Sequence, residues 1–343
     1  MKKKITMQFI ADSLGLSRNT VSKVLNGYPG VSNETKEKVI KKAIELNYKY
    51  FSNTDIEKFN GKETGNIALL TANMPTSSHY GTSFLNGFEG KIRSEGYNLS
   101  YYIIREAEIN ALLLPNSFQT SKIDGIICIE LFDKNYIELI NKLKIPTIFA
   151  DTSADVFYPE LVADIILMEN EHNVYGITKK LIDKGYTNIG FVGDYNHCRS
   201  FYERWIGFNH ALLDSNLQLN LSYCIIDDDK FFSSDWIGDQ LDRMKSLPSA
   251  FFCANDFIAI NVLSALKERN IKVPDDIVIC GFDDSIESKI VEPSLTTVHI
   301  FSNEMGVIAA ETLLSRIKNP SRPPQIIHVK TEPIFRNSTG NIL

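Results

Sequence analysis

The apolar positions of the chain follow two different periods. In residues 5–48 they recur at the spacing of an amphipathic helix, in stretches separated by short polar turns. From residue 66 onward, short apolar runs alternate with amphipathic stretches. The first pattern predicts a small helical unit, and the second predicts parallel sheets with helices on both faces.

The strand candidates in the second part share short runs of apolar, often β-branched residues. They are 67–71, 99–104, 125–129, 147–150, 164–168, 189–193, 224–226, 250–254, 277–280 and 296–300. Helical stretches lie between most of them, at 84–94, 136–143, 174–184, 202–213 and 257–269. Because a single open sheet rarely holds so many strands, we expect two Rossmann-like lobes.

The first predicted helix begins after Thr6, whose side chain can cap it. Ile5 precedes the cap and Ile10 lies inside the helix, at the spacing of the apolar staple that fixes how a chain enters a helix. We predict that Phe9, Ile10 and Leu14 form the buried stripe of this helix.

A tight turn separates the first helix from the second. Gly15 adopts a positive φ at little cost, and Ser17 can cap the next helix. Leu16 and Val21 have the spacing of a second staple. Two capped helices joined by such a turn form the helix-turn-helix pattern.

The second helix has an apolar face, with Val21, Val24 and Leu25, and a polar face that is poor in acids. In a helix-turn-helix the first residues of the second helix meet base edges in the major groove, so we predict that Arg18 and Asn19 contact bases. Phosphate contacts are predicted for Ser17, Thr20, Ser22 and Lys23. With Thr6 and Asn26 added, the candidate DNA-binding set is Thr6, Ser17, Arg18, Asn19, Thr20, Ser22, Lys23 and Asn26. The alternative is a solvated face on an ordinary helical subdomain.

The third predicted helix follows a Gly-Tyr-Pro-Gly turn, and Ser32 can cap it. Its apolar stripe comprises Val39, Ile40, Ala43, Ile44 and Leu46. Together, ADSLGLSRNTVSKVLNG at 11–27 and VSNETKEKVIKKAIELNY at 31–48 closely resemble the headpiece of the lactose-repressor (LacI/GalR) family of bacterial transcription regulators. The resemblance implies an operator-binding protein.

Charge is distributed unevenly along the chain, which has 343 residues and a formal net charge of −6. Residues 1–50 contain ten Lys and Arg and four Asp and Glu, which gives about +6 there and about −12 in the remainder. A basic N-terminal segment joined to an acidic remainder is typical of a DNA-binding module attached to a domain with another function. It also predicts that binding weakens steeply with salt.

Residues 51–64 are a polar stretch that we interpret as a hinge between a DNA-binding domain at 1–50 and a body at 65–343. Members of the resembled family usually have a proline soon after the headpiece and then a short helix whose leucine enters the minor groove. Here Tyr50 and Phe51 replace the expected proline and asparagine. Ile56 or Phe59 is the candidate apolar wedge; the alternative is that both pack the hinge.

Further segments resemble the body of the same family. They are IDGII at 123–127, LIDKGYTNIGFVG at 181–193, RWIGF at 204–208, AND at 254–256, GFDD at 281–284 and LTTV at 295–298. The resemblance implies a periplasmic-binding-protein-like body of two Rossmann-like lobes joined by three crossovers. We expect one lobe at about 65–164 plus 298–322 and the other at about 165–297 plus 323–339. Because the chain ends at Leu343 without a leucine heptad tail, we expect a homodimer rather than a tetramer.

Polar residues follow several predicted strands at their carboxyl ends, where open α/β sheets bind ligands. Carboxylate, amide and guanidinium groups beside aromatic rings suit a polyhydroxylated effector, which we expect to be a sugar or sugar derivative. The resemblance implies that Arg204, Asn255 and Asp283 hold the effector, with less exact matches at Ser200 and Tyr80. With Phe231, the predicted effector-binding set is Tyr80, Ser200, Arg204, Phe231, Asn255 and Asp283. Further candidates at strand ends or in nearby loops are Asp151, Asp194, Asp256, Asp284, Phe232 and Trp236.

These residues also have structural interpretations. Asn255 or Asp256 can cap the helix that begins at residue 257, and Arg204 can be a solvated helix residue. The chain also departs from the family, because Met168-Glu169-Asn170 stands where relatives often place an Asp, and Ile300 and Phe301 follow the LTTV segment in place of polar residues. We therefore expect an effector different from those of the best-known members.

Enzymatic, metal and membrane functions find little support in the sequence. It lacks the phosphate-binding, dinucleotide-binding, nucleophile-elbow and HExxH motifs. The cysteines fit no disulfide framework, the histidines have no metal spacing, and we interpret the acidic run 227–229 as an exposed turn. No apolar run approaches membrane-spanning length. We predict no cofactor, no metal, no membrane partner and a cytoplasmic location.

The sequence thus predicts an α/β protein with an N-terminal helix-turn-helix headpiece. Its predicted function is a dimeric repressor that binds a pseudo-palindromic operator under the control of a small molecule held between two lobes. Two alternatives remain, a DNA-binding regulator without a small-molecule response and an α/β enzyme with a fused headpiece.

Overall fold

The computed structural model describes residues 5–25, 28, 30–46, 48, 65–73, 79–156, 160–226 and 233–342. It divides into two compact units, Met1–Gly65 and Asn66–Leu343. The fold class predicted from the sequence, a helix-turn-helix headpiece and a parallel-sheet body, is confirmed.

The headpiece contains α1 (Met7–Leu14), α2 (Arg18–Leu25) and α3 (Asn33–Glu45). Each helix contributes apolar side chains to one small core, whose buried members are Ile10, Ala11, Val21, Val24, Val39, Ala43 and Tyr48. The prediction that Phe9 belongs to the buried stripe was wrong, because 38% of this residue is exposed. Ile10 and Leu14 face the core at helical spacing, and Phe9, one residue before Ile10, is rotated about 100° away from that face.

The larger sheet of the body has the strand order β10-β5-β4-β3-β1-β2. Its strands are β1 (Gly65–Thr71), β2 (Tyr97–Ile103), β3 (Gly125–Ile129), β4 (Thr147–Ala150), β5 (Asp164–Met168) and β10 (Ile326–Val329). The pairs β1–β3, β3–β4, β4–β5 and β5–β10 are parallel. Strands β3, β4 and β5 are buried along their whole length, as expected for a parallel sheet covered by helices on both faces.

The smaller parallel sheet has the order β6-β7-β8, from β6 (Ile189–Val192), β7 (Ala250–Cys253) and β8 (Val278–Cys280). A third, antiparallel pair joins β9 (Thr297–Ile300) to β11 (Thr331–Ile334). The strand predicted at 224–226 is reduced to a single bridge between Ile225 and Val192, because a 3-10 turn, Leu221–Tyr223, leads directly into it.

The helices of the body alternate with these strands. They are α4 (His79–Ser94), α5 (Glu106–Ala111), α6 (Lys134–Lys142), α7 (Glu171–Asp183), α8 (Arg199–Asp214), α9 (Ser234–Arg243), α10 (Asp256–Glu268), α11 (Ile286–Ile290) and α12 (Ser302–Lys318). Helices α7 and α8 pack closely at Gly207, where a Cβ atom would collide with the carbonyl oxygen of Glu171. This contact fixes the position of α8, which carries two candidate ligand residues, Ser200 and Arg204. Among the described residues, no helix is long and apolar enough to span a membrane.

Both β5 and β10 belong to the larger sheet. We therefore propose crossovers after Met168 and Val329, where the sequence predicted lobe boundaries at residues 164 and 322. Asp164 is fully buried at the start of β5 and pairs with Arg316 (2.6 Å) and Arg322 (2.6 Å). We propose that this ion pair network keeps β5, α12 and the segment before β10 in one lobe.

Candidate DNA-binding surface and ligand cleft

The turn between α1 and α2 is held by hydrogen bonds at both of its ends. Gly15 has φ +65°, and the following Leu16 N–H donates to the Ala11 carbonyl (2.9 Å). The Ser17 hydroxyl accepts from the Thr20 N–H (3.0 Å) and lies 2.8 Å from the Thr20 hydroxyl. The orientation of α2 is therefore fixed by the sequence immediately before it.

The exposed face of α2 carries the residues that the sequence assigned to base contact. Arg18, Asn19 and Lys23 are exposed, whereas Val21 and Val24 are fully buried beneath them. The first turn of α2, which is described completely, has no acidic side chain. The positive end of the helix dipole and the basic residues of α2 together favour a phosphate backbone as partner.

The other members of the predicted DNA-binding set have varied positions. Thr6 caps α1 by accepting from the Phe9 N–H (3.2 Å), and Ser22 is partly buried. Asn26, Ile56 and Phe59 lie outside the described residues.

Arg204 is the centre of the candidate ligand cleft in the body. Although only 2% of this residue is exposed, its Nε donates to Asn170 Oδ1 (2.9 Å) and its Nη1 donates to the Ala254 carbonyl (2.6 Å). Its Nη1 also lies 3.6 Å from Asp283 Oδ1, and the guanidinium covers the ring of Phe282 at 3.7 Å. The interpretation of Arg204 as a solvated helix residue is therefore wrong, because the guanidinium is held on several sides.

Asp283 follows β8 and points toward the same guanidinium. About 28% of its side chain is accessible, yet burial raises its pKa to about 7 against the opposing effect of Arg204. Asp283 has φ +122°, a conformation that favours glycine. A carboxylate held in this strained position is more typical of a functional site than of a surface loop.

The opposite wall of the cleft comes from the lobe with the larger sheet. Asp151 follows β4 and accepts from the N–H groups of Thr152 (2.7 Å) and Ser200 (3.2 Å). Burial raises its pKa although these hydrogen bonds oppose the shift. Tyr80 begins α4, and its buried hydroxyl has no hydrogen-bond partner among the described residues. Burial, followed by the charges of Asp151, Asp283 and Glu130, raises the Tyr80 pKa.

Two predicted ligand residues are occupied by internal hydrogen bonds. The Ser200 hydroxyl donates to Met168 Sδ (3.1 Å), while Asn255 caps α10 by accepting from the Ile258 N–H (2.9 Å). Both still border Arg204, since Ser200 is on the same helix and Ala254 precedes Asn255. Phe231 and Phe232 lie outside the described residues.

Three further polar candidates have structural partners. Asp256 accepts from the Thr297 hydroxyl (2.6 Å) and the Ser285 N–H (2.9 Å). Asp284 pairs with Arg336, His299 and Lys289, and Asp194 accepts from the Asn196 N–H (2.8 Å). The aromatic candidate Trp236 packs against the hydrophobic core.

The sequence analysis missed a buried network behind Arg204. Asn170 Nδ2 donates to Glu203 Oε2 (3.0 Å), and Glu203 also pairs with Arg199 (3.0 Å) and His328 (3.3 Å). Burial would raise the Glu203 pKa, but these hydrogen bonds lower it. Asn170, which follows β5, therefore holds Arg204 in place by accepting the hydrogen bond from its Nε. The only sequence signal was the departure from the family pattern at residues 168–170.

An exposed helix-turn-helix reading face and a two-lobed α/β body with a polar cleft define a DNA-binding regulator with a sensor-type body. Comparison with known proteins agrees with this class. Residues 6–50 match the family described as bacterial regulatory proteins, lacI family, and residues 178–339 match the periplasmic binding protein-like domain.

A full-length relative has the same organisation. The chain is 30% identical over 337 residues to the ribose operon repressor of Haemophilus influenzae, covering 97% of this chain and 98% of the relative. This chain belongs to the LacI family of bacterial regulatory proteins and is a DNA-binding transcriptional repressor.

Two solved structures share the fold. One is the transcriptional regulator CelR-cellobiose complex, with TM-score 0.71, 22% identity and coverage of 97% of this chain and 99% of that one. The other is the lac repressor dimer bound to operator and the anti-inducer ONPF, with TM-score 0.71, 21% identity and coverage of 98% and 99%.

Proposed function

We propose that this repressor is released from or driven onto its operator by a small polyhydroxylated molecule that binds in the cleft around Arg204. The observation that carries the proposal is the buried Tyr80 hydroxyl, which has no hydrogen-bond partner among the described residues. The charges of Asp151 and Asp283 act on this hydroxyl and raise its pKa beyond the effect of burial. Buried polar groups are nearly always hydrogen-bonded. A ligand hydroxyl between Tyr80 and these carboxylates would give the Tyr80 hydroxyl its missing hydrogen-bond partner.

The names of relatives support a carbohydrate. One relative is a ribose operon repressor, and one structural neighbour is a complex with cellobiose. A vicinal pair of hydroxyl groups can be bridged by one planar carboxylate or guanidinium, which Asp283 and Arg204 supply. Coupling of about 1 to 3 kcal/mol between ligand and DNA would be enough for a usable switch.

For the headpiece, we propose that Arg18 and Asn19 contact bases and that Ser17, Thr20 and Lys23 position the helix on phosphates. The assignment rests on the exposure of α2 and on the geometry of the motif. A pseudo-palindromic operator would present one half-site to each headpiece of a homodimer.

A homodimer is supported by apolar side chains at an unpaired sheet edge. β2 is the last strand of the larger sheet, and Tyr101 and Ile103 on it are 52% and 48% exposed. Leu112 and Leu113, shortly after β2, are also exposed. Edge strands with exposed apolar residues are normally covered, and we propose that a second copy of the chain covers this one.

A regulator without a small-molecule response is the second candidate. The internal hydrogen bonds of Ser200 and Asn255 favour it, because these predicted ligand residues already have partners.

The two candidates are separated by a ligand screen followed by operator titration. We expect at least one sugar, sugar acid or nucleobase to raise the melting temperature of the full chain and to change its affinity for an operator selected from genomic fragments. Arg204→Ala should abolish both effects, while ligand-free operator affinity is retained at temperatures well below the lowered melting point of its body. Arg93→Ala, which alters an exposed residue of α4, is the matched control. A screen without any hit, or an undiminished response in Arg204→Ala, would contradict the proposal.

A further inference from the structure

Three carboxylates converge on the cleft from the ends of three different strands. Glu130 follows β3, Asp151 follows β4 and Asp283 follows β8. All three have a positive φ, of 50°, 66° and 122°, which non-glycine residues adopt at a cost. Glu130 and Asp151 follow Ile129 and Ala150, which are paired residues of neighbouring parallel strands. Asp151 accepts from the Ser200 N–H (3.2 Å) at the start of α8, and Asp283 lies 3.6 Å from Arg204 on the same helix. The cleft therefore gathers carboxyl groups beside one arginine, and burial already opposes the ionisation of Asp151 and Asp283, so further negative charge there is disfavoured.

The positive charge of Arg204 is already engaged by the protein. Its Nε and Nη1 donate to Asn170 and Ala254, one face of the guanidinium is covered by Phe282, and Asp283 lies 3.6 Å away. Sites for phosphate or carboxylate ligands typically offer an arginine whose donors form a bidentate pair with the anion. Here Nε, which is one member of the usual bidentate pair, and Nη1 already donate to protein acceptors, which leaves Nη2 to contact a ligand.

The helix ends at the cleft are occupied as well. A helix N-terminus is the usual backbone site for an anion, yet the Ser200 N–H in the first turn of α8 donates to the Asp151 carboxylate (3.2 Å). The preceding Arg199 N–H donates to the Thr152 carbonyl (2.8 Å). At α10, Asn255 supplies the cap and the buried Asp256 stands in the first turn. The protein's own acceptors thus fill the positions that a ligand anion would need.

We infer that the cleft selects uncharged or positively charged ligands rich in hydroxyl or amine donors, and rejects sugar phosphates and sugar acids. This inference rests on the proposed function and narrows it to one charge class of ligand. The carboxylates act as acceptors for ligand hydroxyl or ammonium groups, and they repel a phosphate or carboxylate brought into the same volume.

The test is a panel of matched ligands applied to the full chain. It contains ribose with ribose 5-phosphate, and glucose with glucosamine, glucose 6-phosphate and gluconate, together with cellobiose and cellobionate. Thermal shift identifies hits and calorimetry gives their dissociation constants.

We expect every hit to lack negative charge and to bind at least about tenfold more tightly than its phosphate or acid. A phosphate or acid that binds as tightly as its parent would overturn the inference and leave the ligand response intact. Silence from all members would instead contradict the carbohydrate ligand of the proposed function.

A charge-removing variant sharpens the test. Glu130→Gln should reduce the preference for a neutral sugar over its phosphate by about fivefold or more, since one repelling charge is lost. Glu138→Gln, on the exposed side of α6, should leave the preference unchanged. An unchanged preference in Glu130→Gln would show that the acid does not exclude anions.

Discussion

The polar face of α2 and the cleft around Arg204 hold similar side chains in opposite environments. On α2, Arg18 and Asn19 are adjacent in sequence and exposed. In the cleft, Arg204 is 2% exposed and its contacts come from crossovers and strand ends far apart in the chain. A solvated charge costs little to maintain, whereas a buried charge must be paired. A DNA-binding face can therefore be built locally, but a ligand cleft requires the assembled body.

The largest expected effect compares the same substitution in both regions. Arg204→Ala should lower the free energy of unfolding of the body by about 3 to 5 kcal/mol, because a buried network loses one charge. Arg18→Ala should change headpiece stability by less than about 0.5 kcal/mol. Both tryptophans, Trp205 and Trp236, lie in the body, so urea unfolding followed by fluorescence reports on it alone. Hydrogen exchange of α2 reports on the headpiece. Equal losses of stability in the body and in the headpiece would contradict the view that only the buried arginine supports its surroundings.

The second prediction concerns Asp283 and pH. Its pKa is raised by burial to about 7 in the folded body. Below about pH 4 the carboxyl is protonated in both the folded and the unfolded state, so it does not change the free energy of unfolding. Between about pH 4 and 7 it ionises in the unfolded chain but not yet in the folded one, so the free energy of unfolding falls as the pH rises. The amide side chain that Asp283→Asn introduces cannot ionise. The free energy of unfolding of this variant should therefore exceed that of the native chain by up to about 4 kcal/mol at pH 8 and by almost nothing at pH 4. Urea titrations at the two pH values check this, with Asp239→Asn, which alters an exposed acid on α9, as the control. A parallel shift at both values would show that Asp283 does not titrate in this range.

The third prediction separates base contact from phosphate contact within α2. Arg18→Ala should cost about 1 to 3 kcal/mol of discrimination at one operator position. Lys23→Ala should weaken binding to all sequences alike and reduce the salt dependence by about one phosphate contact. Titrations of operator variants at several salt concentrations distinguish the two. The reverse result would exchange the proposed roles.

The smallest effect concerns the cap of α2. Ser17→Ala removes the hydroxyl that accepts from the Thr20 N–H and should cost about 1 kcal/mol of headpiece stability. Ser13→Ala, which removes a hydroxyl bonded to the Ile10 carbonyl within α1, should cost less. Hydrogen exchange of the α2 amides measures both changes. Similar protection in the two variants would mean that the turn, and not the hydroxyl, fixes the helix.

Local patterns predicted the headpiece closely because its determinants are near one another in the chain. Thr6, Gly15 and Ser17 act within a few residues of the backbone that they cap or turn. The error at Phe9 arose because an apolar residue at the edge of a helical stripe was assigned to its centre. The strands β10 and β11 were missed because their residues are largely half-buried or exposed and form no buried apolar run.

By itself, the amino-acid sequence determined the helix-turn-helix, the alternation of strands and helices, and the family resemblance, because caps, turns and apolar periodicity are short-range properties. Only the tertiary structure decided which polar groups share the cleft. Asn170, Arg204 and Asp283 come together because parallel strands bring their carboxyl ends to one edge and the crossovers bring two lobes face to face. Burial in that cleft, and not residue type, then set which groups are paired and which remain available to a ligand.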